Sequence, residues 1–146
     1  MKILVSLDIS ESTDKVVAEA KKLAKSMSAK LYLIHVAEPE PDFIGYGVGP
    51  QTVRDSVSKE LHKEHAHIQQ IAEQLRESGL DATGLLIQGS ISESILKQAK
   101  KLNAEMIVMG THGRGAVYKL LVGSVSEAVL HGAQCPVLVV PTHKRK

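Results

Sequence analysis

Met106-Ile107-Val108-Met109-Gly110-Thr111-His112-Gly113-Arg114-Gly115 is the stretch whose reading decides the fold. Four apolar residues in a row, with no polar alternation, read as a short strand covered on both faces. Glycine follows at once, and two more glycines come within five residues. Four other short runs lie along the chain, at 3–7, 31–36, 85–87 and 137–140. The run at 85–87 is the weakest, because Ala82, Thr83 and Gly84 precede it.

Amphipathic stretches separate the runs. Val16, Ala20, Leu23, Ala24 and Met27 make one helical stripe, and Ser10 stands where its N-cap belongs. Val53, Val57, Leu61, His65, Ile68, Ala72 and Leu75 make a longer stripe, with Gly79 placed to end it. Ile91, Ile95, Leu96 and Ala99 form a third, opened by Ser90 and Glu93 at capping-box spacing. Val125, Ala128 and Val129 mark a short fourth helix after Gly123-Ser124. Strand and helix in alternation predict an α/β fold, a mostly parallel sheet with helices on both faces. With no repeat and no linker, residues 1–146 read as a single domain.

Composition narrows the function classes. Apolar residues make up 43% and charged residues 23%, a globular balance. The absence of Trp, with one Phe and three Tyr, predicts an aliphatic core without stacking platforms for single-stranded nucleic acid. Eighteen basic against sixteen acidic residues leave +2, too balanced for a dedicated polyanion binder. No apolar run nears the ~18 residues of a membrane span, and the N-terminus shows no room for a signal peptide. These features predict a cytoplasmic protein with neither nucleic acid nor membrane as partner. Cys135 is the only cysteine and has no activating neighbour, so it reads as structural. His62, His65 and His67 lack the spacing of known zinc sites, and no metal ligands are assigned. His65, on the apolar stripe, reads as a partly buried core histidine, and the tail His143-Lys144-Arg145-Lys146 as a solvated end.

In an open parallel sheet, ligands bind beyond the carboxyl ends of the strands. Asp8 ends the first strand, His35-Val36 the second and Gly110 the fourth. A glycine-rich turn lets backbone N–H groups approach a phosphate closely, and Gly123-Ser124 adds the positive end of a helix. Arg114 and Lys119 are charge partners for such an anion. The glycines match neither a Walker loop nor the dinucleotide spacing, and strand-to-helix turns need glycine anyway, so both readings stay open. Residues 38–50, rich in Pro and Gly and carrying Phe43 and Tyr46, read either as a loop that folds over a ligand or partner or as a surface excursion.

Gly110-x2-Gly113-x9-Gly123-Ser124, directly after residues 106–109, resembles the nucleotide-binding signature of the universal stress protein family. The likeness extends through Val5-x-x-Asp8-x-Ser10, Leu33-Ile34-His35-Val36 and the closing Cys135-Pro136-Val137-Leu138-Val139-Val140. It implies a Rossmann-like, adenine nucleotide alpha hydrolase-like fold with five parallel strands in the order 3-2-1-4-5. It implies ATP, with Mg²⁺, as ligand of the family's ATP-binding branch. On that resemblance Asp8 sits at the adenine and ribose end, and Val36 meets the adenine edge through its backbone. Met109 and Gly110 line the ribose. Gly113, Gly123, Ser124 and Val125 hold the phosphates, with His112 and Arg114 beside them. Ile9 departs from the glycine common between the family's Asp and Ser, which leaves the path of that loop open.

The expected function is a nucleotide-dependent regulatory module in stress response, acting on an unidentified protein client. The alternatives are a slow ATPase, with Asp8 and His112 as conceivable bases, and a structural stress protein acting through dimer surfaces. The last strand, Val137–Val140, falls at a sheet edge in this topology, and the resemblance implies a homodimer paired along it.

Overall fold

The computed structural model describes residues 1–38, 50–112 and 122–142, with backbone alone for 50–57. Along the chain it forms β1 (Lys2–Ser6), α1 (Thr13–Met27), β2 (Lys30–Ala37), α2 (Pro50–Glu77), β3 (Ala82–Gln88), α3 (Ile91–Leu102), β4 (Met106–Gly110), α4 (Ser124–Gly132) and β5 (Val137–Val140). The five strands lie parallel in the order β3-β2-β1-β4-β5, the order that the sequence resemblance implied.

Strand alternation assigns each residue to one of two core layers. Ile3, Val5, Leu7, Leu31, Leu33 and Val108 pack with Val16, Ala20 and Ala24 of α1 and Ile68, Ala72 and Leu75 of α2. Leu4, Ile34, Val36, Ile107 and Met109 pack with Ile95 and Ala99 of α3 and Val129 of α4. Helices on both faces explain why these strands read as unbroken apolar runs.

Several sequence expectations change. The third strand spans Ala82–Gln88 and not only 85–87, because Gly84 belongs inside it. A Cβ on Gly84 would lie 2.5 Å from Ile68 Cγ2, so the glycine is where α2 settles onto β3. Ser12, not Ser10, is the N-cap of α1. The Ser90–Glu93 box makes no side-chain capping bond, although α3 starts where the spacing placed it. Met27, the last residue of α1, is exposed. His65 is exposed as well; the inner face of α2 carries Glu64 one residue earlier, in phase with Leu61, Ile68 and Ile71. Gly79 ends α2 as expected, at φ +91°, with Leu80 N–H donating to Leu75 C=O at 3.1 Å.

Candidate nucleotide site at the switch between β1 and β4

β1 and β4 are neighbours whose crossovers leave in opposite directions, toward β2 and toward β5, so the crevice beyond their carboxyl ends is the topological switch point. On the β1 side, Ser10 orients Asp8. The Ser10 hydroxyl donates to Asp8 Oδ1 at 2.7 Å, and the Ser12 hydroxyl, 2.8 Å away, donates to Ser10 in turn. Thr13 Oγ1 accepts the Ser10 N–H at 3.0 Å. Ile9 takes the left-handed conformation at φ 53°, unusual for a β-branched residue. That is why a glycine is at home in this position, and such strain is typical of loops that present a functional side chain.

On the β4 side, α4 is bound to the end of the strand. Gly123, its N-cap, donates to Thr111 C=O at 2.7 Å, and the Ser126 hydroxyl donates to Gly110 C=O at 2.8 Å. Gly123 has no side chain with which to cap α4, and the first-turn amides of the helix, beginning at Ser124 and Val125, stand beside the end of β4 at the positive end of the helix dipole. Ser124 is exposed and Val125 half-buried. His112 is buried, at 4% exposure.

The Thr111 side chain and the His112 backbone meet a residue that sequence reasoning missed. Thr142 N–H donates to Thr111 Oγ1 at 3.1 Å, and His112 N–H donates to Thr142 Oγ1 at 3.2 Å. The Thr142 hydroxyl donates to His112 C=O at 3.2 Å. Thr111 then gives its own hydroxyl hydrogen to Thr142, which assigns a hydrogen to His112 Nδ1, 3.1 Å from Thr111 Oγ1. No motif flags Thr142, because its partners lie about thirty residues away. A Cβ on Gly110 would lie 2.8 Å from Thr142 Cγ2, so the glycine makes room for this contact.

Met109 is buried in the core layer, which leaves only its backbone for a ligand. Val36, 6% exposed, is buried in the same layer. Gly113 and Arg114, like Lys119, residues 39–49 and the tail 143–146, lie outside the described residues. Among the described residues no group of three or more His, Cys, Asp or Glu is placed to hold a metal ion. No helix among them is long and apolar enough to cross a membrane.

The universal stress protein family pattern matches residues 1–141. The chain belongs to the universal stress protein family. It is similar to universal stress protein A homolog 2 of Coxiella burnetii, 39% identical, over 95% of this chain and 93% of that one. It is similar to a Thermus aquaticus universal stress protein, 35% identical, over 94% of this chain and 96% of that one. Among solved structures, hypothetical protein MJ0577 superposes with TM-score 0.82 at 26% identity, covering 99% of this chain and 97% of that one. A universal stress protein solved with cAMP superposes with TM-score 0.69 at 21% identity, covering 98% of each chain. One from Archaeoglobus fulgidus solved with dAMP gives TM-score 0.64 at 19% identity, covering 96% and 97%. Membership carries a stress-response role, and the sheet of order 3-2-1-4-5 with four helices is the family's fold.

Proposed function

We propose that this universal stress protein binds ATP in the crevice between β1 and β4 and acts as a nucleotide-dependent regulatory module. The observation that carries the reading is the N-terminus of α4. Its N-cap is a glycine, with no side chain of its own to occupy the first-turn amides, and Gly123 ties it to the end of β4 at the switch point. An anion there gains backbone donors and the helix dipole together. Asp8, oriented by Ser10, supplies the acceptor for the ribose end. The cAMP- and dAMP-bound relatives support an adenine nucleotide as the ligand class.

The residues fit Mg²⁺ only as a cation that arrives with the phosphates. With no acidic cluster among the described residues, its ligands are phosphate oxygens and water, with the exposed Ser124 hydroxyl at hand. The cation supplies charge neutralisation of the polyphosphate. Gly113 and Arg114 remain candidates on the sequence signature alone.

A second copy of the chain is the partner proposed for β5. This strand ends the sheet, and Leu138 on it is 37% exposed while Leu130 of α4 is 44% exposed. An uncovered aliphatic edge pairs readily with its own twofold mate. Bound ATP then shifts the population of surfaces offered to a client protein.

Freshly purified protein is denatured and any released nucleotide identified by chromatography, followed by calorimetric titration with ATP. Released ATP, or micromolar binding that weakens tenfold or more in Asp8→Ala, is the expected result. Released ADP in place of ATP moves the reading toward turnover. No nucleotide and no heat overturns it.

A further inference from the structure

His35 is a buried polar residue on β2, 7% exposed, and both of its ring nitrogens are engaged. Nδ1 lies 2.8 Å from Leu7 C=O; since a carbonyl only accepts, Nδ1 carries the hydrogen. Nε2 faces Glu64 Oε2 of α2 at 3.4 Å, and both side chains are largely out of solvent, at 8% and 15%. Leu7 precedes Asp8 and His35 precedes Val36, so this contact lies between the two residues assigned to the base end of the site.

The direction of the backbone gives the contact its meaning. Lys30 N–H donates to Met1 C=O and Leu7 N–H to Ile34 C=O, so even-numbered residues of β2 turn their peptide groups toward β1. Leu31 N–H donates to Asp81 C=O and Ala37 C=O accepts from Gly89 N–H, so odd-numbered residues turn toward β3. Val36 therefore directs its N–H and C=O to the β1 side, beyond the Leu7–Ile34 rung. The next rung of a parallel ladder would run from Val36 N–H to Leu7 C=O. The His35 ring donates to that carbonyl instead, and the Val36 N–H makes no backbone bond to it.

We propose that His35, its ring packed against Glu64, is a positioning residue that keeps Leu7 C=O out of the ladder and so presents the Val36 N–H and C=O to the base, making the site selective for adenine over guanine. This rests on the nucleotide reading above. A peptide N–H and C=O side by side match adenine, which offers a ring-nitrogen acceptor beside an amino donor. With sugar and phosphates anchored, guanine inverts both groups, placing a carbonyl where the amino group was and a ring N–H where the acceptor was.

The test is calorimetric titration of wild type, His35→Leu, His35→Asn and His35→Gln with ATP and with GTP. Leucine removes both ring contacts. Asparagine places an amide nitrogen near the position of Nδ1 and keeps a donor for Leu7, whereas glutamine reaches toward the position of Nε2 and Glu64. Wild type binds ATP at least about tenfold tighter than GTP, the worth of one or two neutral hydrogen bonds. His35→Leu and His35→Gln lose about tenfold in ATP affinity with GTP affinity unchanged, and His35→Asn keeps the wild-type ratio within about threefold. All three variants lose thermal stability, so the ATP-to-GTP ratio, which general loosening does not move, is the reading that counts. A His35→Leu protein with the wild-type ratio, or a wild type indifferent to the base, overturns this inference alone. A wild type that binds neither nucleotide overturns the nucleotide reading and this inference with it.

Discussion

The hydroxyl of Thr142, two residues beyond β5, accepts the backbone N–H of His112 at 3.2 Å and donates to the carbonyl of the same residue at 3.2 Å. After the rung from Thr111 N–H to Val140 C=O, at 2.9 Å, the Thr142 N–H turns to the Thr111 hydroxyl at 3.1 Å, and the Thr142 hydroxyl carries the contact on to the His112 backbone. Thr142 and the Thr111–His112 pair at the end of β4 are consequently one hydrogen-bonded unit.

Thr142→Val keeps the shape and deletes the hydroxyl. Two or three neutral hydrogen bonds are lost, worth about 1 kcal/mol each, and the His112 N–H and C=O are left without that partner. ATP affinity falls by about tenfold, and hydrogen exchange at the His112 amide accelerates in the nucleotide-free protein. Thr142→Ser retains wild-type behaviour in both measurements. Unchanged exchange in the valine variant would refute the clasp.

Gly84→Val tests how α2 sits on the sheet. The added Cβ meets Ile68 Cγ2 at 2.5 Å and Gln69 Nε2 at 3.2 Å, and the Gln69 bond to Gly84 C=O, 3.1 Å, must shift. Overpacking of this kind costs about 1–3 kcal/mol, so the urea midpoint drops with little change in the slope. A midpoint equal to wild type would show that α2 relaxes freely.

Leu138→Lys places a charge on the half-open edge of the sheet. Sedimentation velocity is expected to show dimers for wild type and monomers for the variant. An unaltered dimer would locate the interface elsewhere.

Burial pushes the Cys135 thiol pKa above that of an ordinary free cysteine, so the neutral thiol dominates at pH 7. Alkylation by iodoacetamide is expected to run slower than for a free cysteine at pH 8. Its rate should keep climbing with pH past the point where a free thiol levels off. A profile shifted downward would point to an activating group near Cys135.

The sequence by itself determined the layered fold, because strands buried on both faces must be written as unbroken apolar runs and the helices between them as stripes. Val137–Val140 matched to the residue, and α4 began at Ser124 directly after Gly123. The ends of β1, β2 and β4 were legible for the same reason, since Asp8, His35-Val36 and Gly110 interrupt the apolar pattern where each strand ends or nears its end. Local composition misled wherever a distant neighbour decided the outcome. Gly84 weakened the reading of β3, yet Ile68 of α2 requires the glycine there. His65 sat on the apparent stripe of α2, but the helix turned Glu64 inward to meet His35. Ser10 had the residue type of a helix cap and instead orients Asp8. Thr142 carried no signal at all, because its partners lie on another strand's end. Apolar burial is written locally as periodicity. The hydrogen-bond partners that shape this site are separated by some thirty residues of chain, and only the packing of the sheet brings them within 3 Å or so of one another.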